Sequence, residues 1–330
     1  NIDKFSLACD PHLKESRVRS WLSNLIRGNV KELSLKLIQD GDHPLFIPLS
    51  LFTCESLISL ELNTYPSIRL PKYINFPSLK RLELSKFDCS SECWNEELFS
   101  NSPVLEELIL KFGIFSMRNF SISIPTLRLL KIDTSKNVLQ DCVFKMDAPR
   151  LVSFTYWGSE AKEFVLSSFL VLVKADVCFY FDEEFDSPEE RRRVLFSLAH
   201  VKCLIVCNRT LQAICPRYYE SNYLPTFYNV KMLNISDVIN TDEGLIALLK
   251  AAPNLESLVF EMHMEDETTD SYDNENEGDA ADVAECGSND ECEDNYDEKD
   301  YSSLLGIVTT GCMFLHLKSV CFQAFTGKPT

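Results

Sequence analysis

The stretch FPSLKRLELSKF at residues 76–87 decides the fold, because nearly the same phrase returns along the chain. It reappears as SPVLEELILKF at 102–112, as IPTLRLLKIDT at 124–134 and as APNLESLVFEM at 252–262. Each copy has a proline or small residue followed by L-x-x-L-x-L. A phrase that recurs in this way indicates an internal repeat.

Twelve copies are found when apolar residues are required at an anchor and at three and five positions after it. Ten of the eleven spacings between successive anchors lie between 21 and 29 residues, and the last is 62. A period of about 20 to 29 residues with this phrase at its head is typical of leucine-rich repeats. The anchors are Ile2, Val30, Leu57, Leu79, Leu105, Leu127, Leu151, Leu172, Val201, Val230, Leu255 and Leu317.

The repeat predicts one short strand per unit. In x-L-x-L-x the two apolar side chains point inward and the x positions outward, because successive side chains of a strand alternate between its faces. The strands stack in parallel about 4.8 Å apart, and the rest of each unit returns along the outside. We therefore expect an α/β leucine-rich-repeat solenoid, a curved horseshoe with a parallel sheet on the concave face and helices or irregular returns on the convex face.

The returns differ in character. Helices are predicted at 16–28, ending on Gly28 as a cap, at 187–200, beginning with Ser187 as N-cap, and at 241–254. The return at 63–78 holds three prolines and is predicted to be extended or rich in turns. The apolar run at 164–173 is too short to cross a bilayer and is interpreted as a buried strand and its approach.

The formal net charge of −18 is concentrated in one segment. Residues 265–300 hold 17 acids and one lysine, a net charge of −16, which leaves −2 for the rest. Such a segment is expected to be disordered. Removing its 36 residues shortens the 62-residue spacing to 26, so we interpret it as an insertion into the return of one repeat.

The acidic balance argues against nucleic acid as a partner, because phosphate binding needs clustered lysine and arginine. The one basic triplet, Arg191 to Arg193, follows Glu189 and Glu190 and is predicted to lie on a solvent-exposed helix face. No run of residues suits a membrane span, so no membrane partner is expected.

The thirteen cysteines show no C-x-x-C pairs and fit reduced thiols in a cytoplasmic or nuclear protein. Cys178 and Cys207 occupy equivalent outward positions on neighbouring predicted strands, with Cα atoms about 5 Å apart. Two free thiols are preferred there over a redox pair or a metal site.

No catalytic constellation is found, so the sequence predicts a protein that is not an enzyme and needs no cofactor or metal. The five histidines belong to no nucleophile elbow, P-loop or zinc-protease motif. They are His12, His43, His200, His263 and His316.

Outward strand positions supply candidate protein-binding residues. They mix both signs of charge with one tryptophan, expected to be exposed, and aromatic residues and arginine often anchor interfaces. The alternative is a merely solvated face. A tyrosine-rich stretch at 217–228 is a second candidate surface, or a loop that packs its rings over the solenoid edge. The candidates on the concave face are Arg81, Glu83, Glu107, Lys111, Lys131, Asp133, Trp157, Lys174 and Asp176.

Several phrases together resemble one family, the plant F-box proteins with leucine-rich repeats and a C-terminal FBD domain. The resemblance covers almost the whole chain. The phrases are WLSNLIRGNVKELSLKL (21–37), LPKYINFPSLKRLELSKF (70–87), DEEFDSPEERRRVLFSLAHVKCLIV (182–206), LLKAAPNLESLVFEM (248–262) and HLKSVCFQAFTG (316–327).

The resemblance implies that an N-terminal F-box docks on the Skp adaptor of a cullin ubiquitin ligase, while the repeats select the target. The F-box itself is not in this chain and is expected upstream. Residues 1–250 are then the target-reading solenoid, and 251–330 are an FBD-like end that continues the repeats and is interrupted at 265–300. The usual tryptophan and final helix of that end are missing here.

The leading hypothesis is a non-catalytic substrate-recognition subunit of a Skp-cullin-F-box ubiquitin ligase. The second is a stand-alone leucine-rich-repeat scaffold that binds partners without an F-box. A small-molecule co-receptor, as among hormone-sensing F-box proteins, ranks below both, because no ligand pocket is marked in the sequence.

Overall fold

The structure of the chain is a computed structural model. It describes residues 2–9, 15–38, 47–90, 94–95, 97–134, 139, 141–167, 169–180, 188–214, 224–236, 242–261 and 315–323. The predicted acidic insertion at 265–300, most of the tyrosine-rich stretch, and His12, His43 and His263 lie outside these residues.

The described residues form sixteen strands and four α-helices. The strands are β1 (Lys4–Cys9), β2 (Glu32–Ile38), β3 (Ser59–Arg69), β4 (Arg81–Ser90), β5 (Glu107–Lys111), β6 (Ile114–Ser116), β7 (Asn119–Ser123), β8 (Leu129–Asp133), β9 (Val143–Asp147), β10 (Ser153–Gly158), β11 (Glu163–Leu166), β12 (Lys174–Phe179), β13 (Cys203–Cys207), β14 (Met232–Ser236), β15 (Ser257–Glu261) and β16 (Ser319–Gln323). The helices are α1 (Glu15–Arg27), α2 (Pro188–Ser197), α3 (Asn208–Ala213) and α4 (Asp242–Ala251).

The twelve strands predicted from the anchors are neighbours in one large sheet, in the order β1-β2-β3-β4-β5-β8-β10-β12-β13-β14-β15-β16. Each neighbouring pair is parallel, and the predicted apolar positions are in register from strand to strand. Leu60 of β3 pairs with Leu82 of β4, which pairs with Leu108 of β5. At the far end Leu258 of β15 pairs with Val320 of β16. The leucine-rich-repeat solenoid is therefore confirmed.

The inward leucines make one continuous core, because each repeat covers the apolar edge of the next. Leu60, Leu108 and Leu130 are fully buried. Each contributes roughly 1.5–3 kcal/mol relative to an exposed side chain. The division of the chain at about residue 250 into solenoid and FBD-like end stays a prediction.

The three predicted helical returns are present as α1, α2 and α4. The end of α1 differs in detail from the prediction, since the left-handed residue is Asn29 (φ 57°) and not Gly28. The amide of Val30 then donates to the carbonyl of Leu25 at 3.2 Å. This is the bond of a Schellman motif, with Asn29 supplying the left-handed position that asparagine tolerates.

The return at 63–78 contains no helix. Its first part continues β3 as far as Arg69, with a register shift between Asn63 and Ile68. The short helix α3 was not predicted, because six residues are too few to show a helical period.

The structure contains a second parallel sheet that was not predicted, in the order β11-β9-β7. Its strands lie in three consecutive returns, between anchors only 22, 24 and 21 residues apart. Phe120, Phe144 and Phe164 alternate with polar or exposed positions and point inward. The apolar run at 164–173 is therefore divided between the end of β11 and the approach to β12.

Aromatic rings fill the space between the two sheets. The ring centroids of Phe120 and Phe144 are 5.2 Å apart, and those of Tyr156 and Phe164 are 5.5 Å apart. The hydroxyl of Tyr156 is fully buried and donates to the carbonyl of Ser159 at 2.5 Å. Burial raises the pKa of this phenol.

Helix α2 closes the free edge of the second sheet at β11. A carboxylate oxygen of Glu190 accepts a hydrogen bond from the Phe164 amide at 2.7 Å, and Arg193 donates to the Phe164 carbonyl at 3.3 Å. The prediction of a solvent-exposed basic triplet is wrong for Arg191. This guanidinium is fully buried and lies 2.5 Å from a carboxylate oxygen of Glu160, which is also buried. The two charges pair because an unpaired charge in the core is costly.

Candidate protein-binding face

The nine predicted candidates all lie on the face of the large sheet opposite the core, the predicted concave face. They occupy five strands that are adjacent in space, β4, β5, β8, β10 and β12. Strand alternation puts them on one side, and the parallel register brings residues from distant parts of the sequence next to each other. The charged band is the name used below for Arg81, Glu83, Glu107, Lys111, Lys131, Asp133, Trp157, Lys174 and Asp176.

One half of the charged band is an ion-pair network on β4 and β5. The guanidinium of Arg81 donates to Glu107 at 2.6 Å and to Glu83 at 2.7 Å. Lys111 donates to the other oxygen of Glu83 at 2.7 Å. Glu83 is buried, with only 7% of its surface exposed, so two cations compensate one shielded carboxylate.

The other half is centred on Trp157 of β10. The Lys131 ammonium lies 4.3 Å from the centre of the indole ring, within reach of a cation–π attraction. The indole nitrogen donates to an Asp176 oxygen at 2.9 Å. The expectation of an exposed tryptophan is therefore corrected, since the ring is half-buried and its N–H is bonded.

Burial disfavours the ionised form of two carboxylates of the charged band. Burial raises the pKa of Asp133, and the nearby Lys131 and Lys111 only partly oppose it. Burial likewise raises the pKa of Asp176 despite the hydrogen bond from Trp157 and the charges of Lys131 and Lys174. A carboxylate that is held in partial burial on a surface is poised to gain from a partner that adds a positive charge or a donor.

Two residues that follow outward positions of β5 and β4 have a backbone conformation that sequence reasoning missed. Phe112 follows the last residue of β5 with φ 51° and with about half of its surface exposed. Lys86 takes the equivalent place after Ser85 of β4, with φ 58°, and its ammonium lies 5.0 Å from the centre of the Tyr65 ring. Nothing in the sequence signals a positive φ at a phenylalanine or a lysine, because both residue types disfavour it.

The prediction of two free thiols at Cys178 and Cys207 is wrong. The two residues form a disulfide between β12 and β13, with Cα atoms 5.2 Å apart. They are close together because they occupy equivalent positions on neighbouring strands, as the sequence predicts. Cys54 and Cys142 are buried free thiols, and burial raises the pKa of Cys142 to about 11.

Among the residues that the structure describes, no cluster of histidine, cysteine and acidic side chains could hold a metal ion. The ring of His200 is hydrogen-bonded to the Phe169 carbonyl. An apolar cavity beside Trp94 has about 10 Å³, room for no more than one water molecule. Within the described ranges, no helix has the length and apolar character that crossing a membrane requires.

The fold and this face define a leucine-rich-repeat protein. Residues 18–167 match the family model described as the leucine-rich repeats of FBD-associated F-box protein At5g56370. No solved structure matches the chain.

Curated relatives come from the plant Arabidopsis thaliana. F-box/FBD/LRR-repeat protein At1g78750 is 29% identical over 259 residues, which cover 74% of this chain and 56% of the relative. F-box/LRR-repeat protein 13 is 28% identical over 257 residues, 72% of this chain and 55% of the relative. FBD-associated F-box protein At4g13985 is 29% identical over 274 residues, 78% of this chain and 59% of the relative.

The chain is thus a leucine-rich-repeat protein similar to the plant F-box/FBD/LRR-repeat proteins, and the resemblance seen in its sequence is confirmed. It spans a little over half the length of the first two of these relatives.

Proposed function

We propose that the chain is the target-recognition part of a Skp-cullin-F-box type ubiquitin ligase and that the charged band binds the target. In this role the protein performs no chemistry itself. It holds a target lysine near a charged conjugating enzyme, and an F-box outside this chain contacts the Skp-type adaptor. The similarity to proteins named F-box supports the ligase part of the proposal.

The observation that carries the binding part is the continuity of the charged band. Its members belong to five adjacent strands, and seven of the nine contact another member through an ion pair, a cation–π contact or a hydrogen bond. Side chains fixed in this way lose little entropy when a partner arrives, so more of the contact energy appears as affinity. The band suits a target surface that carries both signs of charge around an apolar or aromatic group.

The test compares tagged full-length protein and two variants in plant cells with the proteasome inhibited. The double variant Lys131→Glu, Trp157→Ala disrupts the charged band, and Arg150→Glu changes an exposed residue of the return before β10. Ubiquitylated proteins captured by the wild type are expected to fall at least about tenfold with the double variant, as for loss of an interface hot spot, and to persist with Arg150→Glu.

Binding of the three proteins to the Skp adaptor tests the ligase role separately from the role of the charged band. All three proteins should bind it equally, because the changes lie in the repeats and leave the F-box sequence unaltered. A folded full-length protein that fails to bind the adaptor contradicts the ligase role and leaves the scaffold hypothesis. Unchanged capture by the double variant contradicts the role of the charged band.

A further inference from the structure

The Cys178–Cys207 disulfide lies where the pairing of β12 and β13 ends. Backbone pairing of these strands stops at Val177 and Val206. The neighbouring strand pairs continue further. Pairing of β10 with β12 extends to Phe179, and pairing of β13 with β14 extends to Cys207. The disulfide therefore joins the two strands at the point where their backbones separate.

A side chain of α3 replaces the backbone ladder beyond this point. The Thr210 hydroxyl accepts a hydrogen bond from the Phe179 amide at 3.0 Å and donates its one proton to the Val177 carbonyl at 3.1 Å. The oxygen also lies 3.5 Å from the Cys207 sulfur. A reduced Cys207 thiol could donate to this hydroxyl, which keeps a second lone pair. Both redox states of Cys207 thus have a satisfied environment without a change of the backbone.

The two residues differ slightly in access. Cys178 is 9% exposed, and Cys207, the N-cap residue of α3, is 2% exposed. Cys178 is also the register partner of Trp157 in the charged band. Cys178 is therefore the more accessible of the two residues to a small thiol that approaches the charged band.

We propose that Cys178 and Cys207 form a reversible modification site for glutathione-class thiols and disulfides at the end of the charged band. In the oxidising direction the Cys178 thiolate attacks glutathione disulfide, which releases one glutathione thiolate and leaves a mixed disulfide on Cys178. The Cys207 thiolate then attacks the Cys178 sulfur, and the second glutathione leaves. Two protein thiols lose two electrons and two protons, and one glutathione disulfide becomes two glutathione thiols.

Reduction is the reverse sequence and needs only glutathione thiol. The crosslink joins residues 29 positions apart and constrains the unfolded chain. Its removal by reduction therefore lowers the melting temperature of the protein. Reduction also removes the covalent link between the two strand ends next to Trp157. Regulation of target binding by this step rests on the proposed function, whereas the redox chemistry does not.

The test is carried out on the folded protein in glutathione buffers of varied ratio, without any target. Free thiols are blocked before trypsin digestion, which yields peptide 175–191 with Cys178 and peptide 203–209 with Cys203 and Cys207. The two peptides should be linked in oxidising buffer and at least about tenfold less linked in reducing buffer. The melting temperature should fall on the order of 5 °C on reduction.

Matched variants assign the effect. Cys203→Ser removes a free thiol on the same strand and face, and should keep both the crosslink and the redox-dependent melting temperature. The pair Cys178→Ser, Cys207→Ser should abolish both, and the alanine pair serves if the serine pair fails to fold. The proposal is overturned if the peptides are never linked, if the link survives reducing buffer until the protein unfolds, or if Cys203→Ser removes it.

Discussion

The indole nitrogen of Trp157 donates a hydrogen bond to Asp176 at 2.9 Å, and so joins two strands whose residues are 19 positions apart. Lys131 covers the ring of the same tryptophan from a third strand. The half-buried Trp157 side chain of β10 therefore contacts both the Lys131 ammonium of β8 and the Asp176 carboxylate of β12.

Replacing Trp157 with phenylalanine should raise the pKa of Asp176 further. Burial already raises this pKa, and the indole N–H is one of the groups that lower it by bonding the ionised form. A ¹³C-detected titration of the carboxyl group measures the change. Lys145→Met, on the exposed part of β9, is the control and should leave the Asp176 titration in place. An unchanged pKa in the phenylalanine variant would contradict the hydrogen bond.

Asp133→Asn should leave the protein at least as stable at neutral pH and should weaken target binding. Because the folded-state pKa of Asp133 is raised, the folded protein binds its proton more tightly than the unfolded chain. This residue's contribution to stability therefore declines as the pH rises from about 3.8, the ordinary aspartate value, through the raised folded-state pKa. Urea unfolding at several pH values should show that decline in the wild type and a smaller one in the variant. A large loss of stability at pH 7 would mean that Asp133 is a structural residue.

Arg191→Met should destabilise the fold by about 3–5 kcal/mol, because it removes the guanidinium that pairs with the buried Glu160 carboxylate. The double variant Arg191→Met, Glu160→Leu should recover most of the loss, since an apolar pair of similar volume needs no compensation. Arg192→Met alters the neighbouring and partly exposed arginine and should change stability by less than about 0.5 kcal/mol. Denaturant unfolding of the four proteins decides the point. Equal effects at 191 and 192 would place Arg191 on the surface.

Gly244→Ala should destabilise the protein by about 1–3 kcal/mol, although alanine is the better helix former. A Cβ atom at position 244 would overlap the carbonyl oxygen of Leu211, so α4 would have to move away from α3. Ala247→Gly on the same helix provides the comparison and should cost only about 1 kcal/mol through helix propensity. Thermal unfolding of both variants measures this, and a more stable Gly244→Ala protein would show that the two helices are not in close contact.

The sequence alone determined the large sheet and most of the residues on its concave face. Twelve anchors fixed the inward and outward positions, because strand alternation has a period of two and the repeat spacing carries it from unit to unit. This pattern alone puts Lys131, Trp157 and Asp176 on one side of the sheet. The helical period of α1, α2 and α4 was equally visible.

Other features were decided only by the tertiary structure. The second sheet exists because β7, β9 and β11 stack on one another, and a single short alternating segment does not show what it will pair with. Arg191 is buried beside Glu160, 31 positions earlier, whose carboxylate accepts a hydrogen bond from its guanidinium. The disulfide and the half-burial of Trp157 likewise depend on how closely neighbouring strands approach. Alternation within each repeat determines which way a strand side chain points, whereas packing between returns decides which of those side chains remain in solvent.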